Sequence, residues 1–355
     1  MDPFNLPNNF ESDDEIEEFR LYRNPKVFKV RPNYFEEYDE LEFFKRFRLQ
    51  KQTCAMLLGL IRDEITSATD RNNAIHPETK IFLTLRFYAT GCMLLTTGDF
   101  TGVSKTSACV IVTQVTEAIA SLRPRFVKLP EGEMECQRIK EEFYSIARFP
   151  KVIGTIDCTH VRIISPGGDQ AERYRNRKGY FSWNVQTVCD ARLRIMDIVA
   201  RWPGSSHDQT IYNNSRLKGT LESGRFGTSV LLGDSGYGNT NFLITPLEHP
   251  NTRAEALFNE SHIRTRNCVE RSYGVWKRRF PILSLGMRVS LDHSKAIIVA
   301  TAVLHNLAIE EHEEEPPHEM DVQEVDIPVP VANVGMVREQ NRMRASLILN
   351  HFSNL

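Results

Sequence analysis

Val152-Ile-Gly-Thr-Ile-Asp157-Cys-Thr-His160 decides how this chain is read. An apolar, β-branched run closes on a carboxylate, and small or polar residues follow at once. Runs of this length read as a strand buried on both faces. An unpaired buried carboxylate is costly, so an acid there needs a purpose. The bland alternative is an aspartate that opens a turn. The pattern recurs at Ser229-Val-Leu-Leu-Gly-Asp234-Ser-Gly-Tyr237. Two parallel central strands presenting Asp157 and Asp234 at their carboxyl ends put both acids at one sheet edge, where open α/β sheets bind ligands. Thr265 to Phe280 reads as a helix whose apolar stripe is Val269, Tyr273, Trp276 and Phe280. Glu270 adjoins that stripe and leans toward the same edge. Two strand-end aspartates and one helical glutamate make a hard-oxygen set for Mg²⁺ or Mn²⁺. Two-metal phosphodiester hydrolysis uses such a set, with the ions roughly 3.5–4 Å apart.

Six fragments in order carry a family resemblance: Gly154-Thr-Ile-Asp157-Cys-Thr-His160, Asn176-Arg-Lys-Gly179, Trp202-Pro-Gly-Ser-Ser-His-Asp208, Leu232-Gly-Asp-Ser235, Val269-Glu270-Arg-Ser and Leu304-His-Asn306. Each is weak alone, but in this order and spacing the chain resembles the PIF/Harbinger transposase superfamily from about residue 40 to residue 310. The resemblance implies an α/β fold with a ribonuclease H-like (DDE transposase/nuclease) core preceded by an all-helical domain. It places the family's acid triad on Asp157, Asp234 and Glu270, and a further metal-associated acid on Asp208. It also implies DNA as substrate and a Myb-like partner protein that often supplies sequence-specific binding.

With 355 residues there is room for about two domains. The first twenty residues are acidic and lack a basic segment followed by an apolar one, so secretion is not expected. No apolar run reaches the length of a membrane span. Seven cysteines are odd in number, scattered and without a CxxC pair, which reads as reduced thiols rather than a disulfide framework or zinc site. A nuclear protein with a cytoplasmic pool is the expected setting. The formal charge of −2 is unpromising for DNA until its distribution is read. Residues 1–18 hold seven acids and no base, and residues 310–326 hold nine acids and no base. Between 151 and 288, 20 Lys and Arg stand against 12 Asp and Glu, so the middle suits a phosphate backbone. A solvated mixed surface is the competing reading.

The expected organisation is an acidic arm (1–38), a helical domain (39–130), the nuclease domain (131–311), and an acidic linker with a terminal helix (312–355). In the helical domain, Asp39 and Glu42 resemble a cap-and-Glu start. Thr53 to Ile65 is a helix, and Pro77 opens another whose stripe runs Ile81, Leu85, Tyr88, Cys92, Leu95. Thr97 to Ser107 has the form of a helix-turn-helix, with Lys105, Thr106 and Ser107 at the start of its second helix. A structural bundle gives the same spacing, and both readings stand. Glu133 to Ala147 is a further helix.

The nuclease region reads as strands 152–157, 180–189 and 195–200, a helix 208–221, a strand ending at Asp234, a strand 242–245, and the Glu270 helix. Arg173, Arg175, Arg177 and Lys178, interleaved with Tyr174, Tyr180, Phe181 and Trp183, suit phosphate clamping and base stacking. Arg271, Lys277, Arg278 and Arg279 beside Glu270 offer a second grip. His160 is placed to orient Asp157 or touch a phosphate. His207 reads as a partner of Asp208, a general acid/base, or a satisfied structural histidine. Asp208 by itself also suits a helix cap. Asp190 reads as a hairpin turn residue and Asp197 as an edge acid facing an arginine. His305-Asn306 reads as a tie between the closing helix 294–311 and the core. Arg338 to Phe352 suits a terminal amphipathic helix for a partner or another subunit, so a homo-oligomer is allowed. The resulting reading is a divalent-metal-dependent DNA nuclease. The alternatives are a working transposase that also joins strands and a domesticated non-catalytic DNA-binding scaffold.

Overall fold

The computed structural model describes residues 31–69, 74–317 and 342–355. Most of the expected acidic arm, the middle of the acidic linker and the first residues of the terminal helix lie outside these. The N-terminal helices are α1 (Tyr34–Glu37), α2 (Glu40–Phe47), α3 (Lys51–Ile65), α4 (Pro77–Thr90), α5 (Leu94–Thr101), α6 (Lys105–Ser121), α7 (Arg123–Phe126) and α8 (Gly132–Ala147). Asp39 caps α2 by accepting from Glu42 N at 2.7 Å. The fold starts earlier than the expected arm's end: Tyr34 is buried among Phe47, Phe82 and Phe100. Nor does α4 continue to Leu95. Gly91 takes a left-handed conformation (φ 59°) and stops it, leaving Leu95 exposed.

The sheet consists of β1 (Val152–Arg162), β2 (Ser182–Cys189), β3 (Ile195–Pro203), β4 (Val230–Leu232) and β5 (Leu243–Ile244), in the order β3-β2-β1-β4-β5. The first three are antiparallel neighbours, while β4 and β5 run parallel to β1. Between β3 and β4 lie α9 (Asp208–Asn213) and α10 (Arg216–Glu222), two helices where one was expected. Ser215 breaks the run by capping α10 through Lys218 N. After β5 come α11 (Arg253–Arg279), α12 (Ile282–Leu285), α13 (Leu291–Glu310) and α14 (Arg342–Asn350). α11 begins twelve residues before the expected start, because Thr252 and Glu255 form a reciprocal capping box.

One continuous apolar core runs through the helical region and the sheet. α6 is its hinge-pin, burying Ala108, Ile111, Val112, Val115 and Ile119 between α4 and α13. α13 is fastened to the sheet edge by Asn306, which accepts from Ile195 N at 2.8 Å and donates to Ile195 O and Phe126 O. That contact supplies β3's edge backbone with partners no strand provides. The terminal segment packs in part on the core: Leu347 of α14 and Phe352 just after it are buried, the latter against Phe149 and Phe258, while Leu349 is exposed. All seven cysteines are unpaired, and among the described residues no helix is long and apolar enough to cross a membrane.

Two buried histidines carry a pH dependence. His305 and His262 each donate from Nε2 to a backbone carbonyl (Leu193 O at 2.9 Å, Ile244 O at 3.0 Å). Burial pushes both down to about 4 from 6.5. The unfolded chain takes up a proton near pH 6.5 that the folded chain refuses until about 4. Stability is therefore whole above that range and falls as the pH drops through it. Between pH 7 and 5 each histidine is expected to cost the fold about 2 kcal/mol. Urea unfolding at the two pH values checks this: His305→Gln should flatten the loss by that amount, and an unchanged slope rejects the explanation.

Candidate active site

Asp157 is not at the end of its strand. β1 continues past it to Arg162, paired with β2 (Asp157 opposite Thr187), whereas β4 leaves β1 after Thr155. Asp157 thus lies just where β1 loses its parallel neighbour. Asp234 lies two residues beyond β4, in a turn in which its Oδ1 accepts from Gly236 N at 3.0 Å. Both acids stand at the carboxyl edge of the parallel pair, as the repeated sequence pattern predicts. α11 crosses this edge and is held there by Tyr273, whose hydroxyl donates to Asp157 O at 2.7 Å and accepts from Thr187 Oγ1 at 3.0 Å. Glu270, one turn before Tyr273, is thereby brought to the edge, with its side chain 53% exposed.

Arg266 lies between the two acids. Its Nη1 donates to Asp157 Oδ2 at 3.0 Å and its Nη2 to Glu270 Oε1. Burial pushes Asp157 up to about 7, the Asp234 charge adds to the rise, and Arg266 opposes it. Asp234 is raised as well, chiefly by burial and against the pull of Arg266. The site is therefore rich in carboxylate charge that one guanidinium does not offset. Hard carboxylate oxygens are the donors that a divalent Mg²⁺ or Mn²⁺ takes, so the residue types fit such an ion. Among the described residues, however, no three His, Cys, Asp or Glu side chains are drawn together as a metal-holding cluster. The guanidinium lies where Asp157 and Glu270 would have to converge.

Asp208 opens α9, and its Oδ1 accepts from Asn184 Nδ2 at 2.8 Å, which fastens it to β2. The same amide donates to Ser206 O. His207 meets Arg177 through Nδ1. His160 faces Ser182, whose hydroxyl lies 3.1 Å from Nδ1 and accepts from Asn176 Nδ2 at 3.2 Å. Burial pushes His160 down to about 4; Lys277, Lys178 and Arg177 lower it further, while Asp208 opposes them. Those three cations therefore lie close enough to His160 to act on its charge. Asn176 shapes their loop, its Oδ1 accepting from Lys178 N and Tyr180 N.

The loop carrying Asp208 depends on Gly204. A Cβ there would lie 2.4 Å from Ser182 Oγ, 2.5 Å from Tyr174 O and 2.8 Å from Ser182 O. Two of these are backbone carbonyls that cannot swing aside. Gly204→Ala is expected to cost roughly 1–3 kcal/mol and to lift Asp208 off Asn184. A lowered melting temperature checks the first effect; an unchanged one refutes it.

The other predicted grips are occupied within the chain. Arg173 donates to Gln170, and Arg175 pairs with Glu172 at 2.7 Å while lying over Phe181. Arg271 and Arg278 both reach Glu315. Arg279 is buried against Glu313 at 2.5 Å, Arg48 O and Glu314 O. Asp190 forms the expected hairpin turn, accepting from Arg192 N and Arg194 N, and Asp197 lies 3.7 Å from Arg123. Arg266, Tyr273 and Asn184 were not anticipated from sequence. For Arg266 a signal existed, since residues four apart share a helix face. For Tyr273 and Asn184 the buried pattern hid a polar duty.

Comparison with known proteins identifies the family. Residues 156–306 match the family model described as DDE superfamily endonuclease. The chain is 36% identical over 315 residues to "Putative nuclease HARBI1" of Bos taurus, covering 85% of this chain and 88% of that protein. The protein of that name from Homo sapiens is 35% identical with the same coverage, and that from Xenopus laevis 32% identical, covering 84% and 86%. No solved structure matches the chain. A relative that similar over nearly the whole length, together with the matched endonuclease region, means that the chain belongs to the PIF/Harbinger transposase superfamily, among the Harbinger transposase-derived nucleases.

Proposed function

We propose that the chain is a divalent-metal-dependent nuclease that hydrolyses DNA phosphodiester bonds. The observation that carries this reading is the placement of Asp157 and Asp234 at the carboxyl edge of two parallel strands, with Glu270 joined to Asp157 through Arg266 on the helix that crosses it. The sheet order, three antiparallel strands and then two parallel ones, supports a ribonuclease H-like core at 131–311 with a helical domain before it. Asp157, Asp234 and Glu270 would hold Mg²⁺ or Mn²⁺, with Asp208 assisting from its bond to Asn184. When bound, such ions supply acidity to an attacking water or 3′-hydroxyl and stabilise the leaving oxygen. The protein's own part is positioning. Tyr273 fixes the helix to Asp157, Asn184 aims Asp208, and Arg177, Lys178 and Lys277 gather a phosphate backbone at the mouth. His160, neutral at physiological pH, donates no charge there and leaves the phosphate to those cations.

DNA is the proposed substrate, a Myb-like protein the proposed partner for sequence choice, and the nucleus with a cytoplasmic pool the proposed setting. One observation favours a second reading. An arginine bridging two of the three acids is what a retired site in a DNA-binding scaffold would also hold. Cleavage of labelled duplex DNA by the full chain with Mg²⁺ or Mn²⁺, alone and with a Myb-like partner, separates the two. Silence in every combination favours the scaffold. Joining of a 3′-end to a second duplex in the same assay would identify a transposase.

A further inference from the structure

Arg266 is the residue that this site does not need for any duty so far described. It lies four residues before Glu270 on α11, and its side chain is 17% exposed, as is that of Asp157. An arginine placed before a glutamate is the less favourable order for a pair on one helix, so helix stability alone is a poor reason for it. Its second bond leaves the helix altogether and reaches β1. The guanidinium thus spans two acids from different elements, using its planar fork as a lysine cannot.

Charge decides what this arrangement means. Asp157, Asp234 and Glu270 bring up to three negative charges to a partly buried edge, and Asp208 stands near enough to act on Asp157. One guanidinium offsets one of them. Divalent cations would offset the rest, but they need the same oxygens, Asp157 Oδ2 and Glu270 Oε1. A guanidinium and a divalent cation repel each other and cannot share those atoms. Occupancy by one therefore excludes the other.

We propose that Arg266 is the resident counter-ion of the metal site: it holds Asp157 and Glu270 in the metal-free chain, and a divalent cation enters by taking those oxygens from it. The inference rests on the metal-nuclease reading. Its consequence is that the arginine weakens metal binding and sets a threshold concentration for loading, while sparing the empty site from carboxylate repulsion.

The test measures Mn²⁺ binding directly, by electron paramagnetic resonance of free Mn²⁺ and by titration calorimetry, on the full chain and on Arg266→Gln. The expected result is binding by both, with the variant about tenfold tighter or more. Its metal-free melting temperature should be lower than the parent's and should rise further when Mn²⁺ is added. Arg266→Lys serves if the glutamine variant does not fold. Lysine keeps the charge but reaches one acid at a time, so an intermediate tightening is expected. Binding by the parent with equal or weaker binding by the variants overturns the proposal and leaves the nuclease reading intact. Binding by neither overturns the nuclease reading, and this proposal with it. Binding by the variant alone supports the exclusion and moves the natural protein to the scaffold reading.

Discussion

Asp157→Asn is expected to abolish metal-dependent DNA cleavage, by about 10³-fold or more, the scale seen when one member of a catalytic unit is removed. Asparagine keeps the shape and the contact with Cys158 N, formed by Asp157 Oδ1 at 2.7 Å. What it removes is a charged oxygen facing Arg266 and Asp234. The same change should make the metal-free chain more stable at neutral pH. Burial and Asp234 hold Asp157 at about 7 against an ordinary 3.8. The folded chain therefore keeps a proton that the unfolded chain releases near 3.8, and the stability of the parent declines as the pH rises from about 4 to about 7. The variant lacks that decline, so its melting temperature should exceed the parent's by a margin that grows over this window. Loss of cleavage with gain of stability is the signature of a functional carboxylate. Retained cleavage would remove Asp157 from the chemistry, and loss of both activity and stability would make it a structural residue.

Arg279→Ala is expected to destabilise the fold by about 3–5 kcal/mol, the usual cost of leaving one half of a buried ion pair alone. Arg279 and Glu313 have side chains 2% and 0% exposed. The guanidinium also donates to Arg48 O and Glu314 O, and the other oxygen of Glu313 accepts from Gln50 N at 2.8 Å. This cluster joins the turn after α2, the end of α11 and the segment after α13. Glu313→Ala should cost a similar amount. Replacing both residues by apolar ones of matching size should recover most of the loss, because the desolvation of both charges is then avoided. Urea unfolding of the two single variants and the double variant measures the coupling. Strictly additive losses would show that the pair acts through its separate backbone contacts.

The placement of Arg279 illustrates why charge is hard to read from a linear chain. Lys277-Arg-Arg279 is a run of three cations, and a run of cations suggests nucleic acid. On a helix those residues meet different surroundings: Lys277 lies near enough to His160 to lower its pKa, Arg278 pairs with Glu315, and Arg279 is buried in the core. The acidic segment that answers Arg278 and Arg279 begins more than thirty residues later, beyond α13. Local composition cannot report such a pairing. The terminal helix teaches the same lesson, since its apolar face required the pocket formed by Phe149 and Phe258 before its destination could be known.

The sequence by itself determined the two apolar runs that close on Asp157 and Asp234, the helix bearing Glu270, the α/β alternation and the family. Those properties are local, since an apolar β-branched run favours a strand and an apolar stripe at helical spacing favours a helix. Only the tertiary structure decided that β1 runs on past Asp157 while β4 stops short of it. The same is true of Tyr273 tying α11 to that strand and of Arg266 bridging two of the acids. These depend on which elements become neighbours, and a guanidinium placed four residues from a glutamate does not reveal that an aspartate 109 positions away will take its other arm.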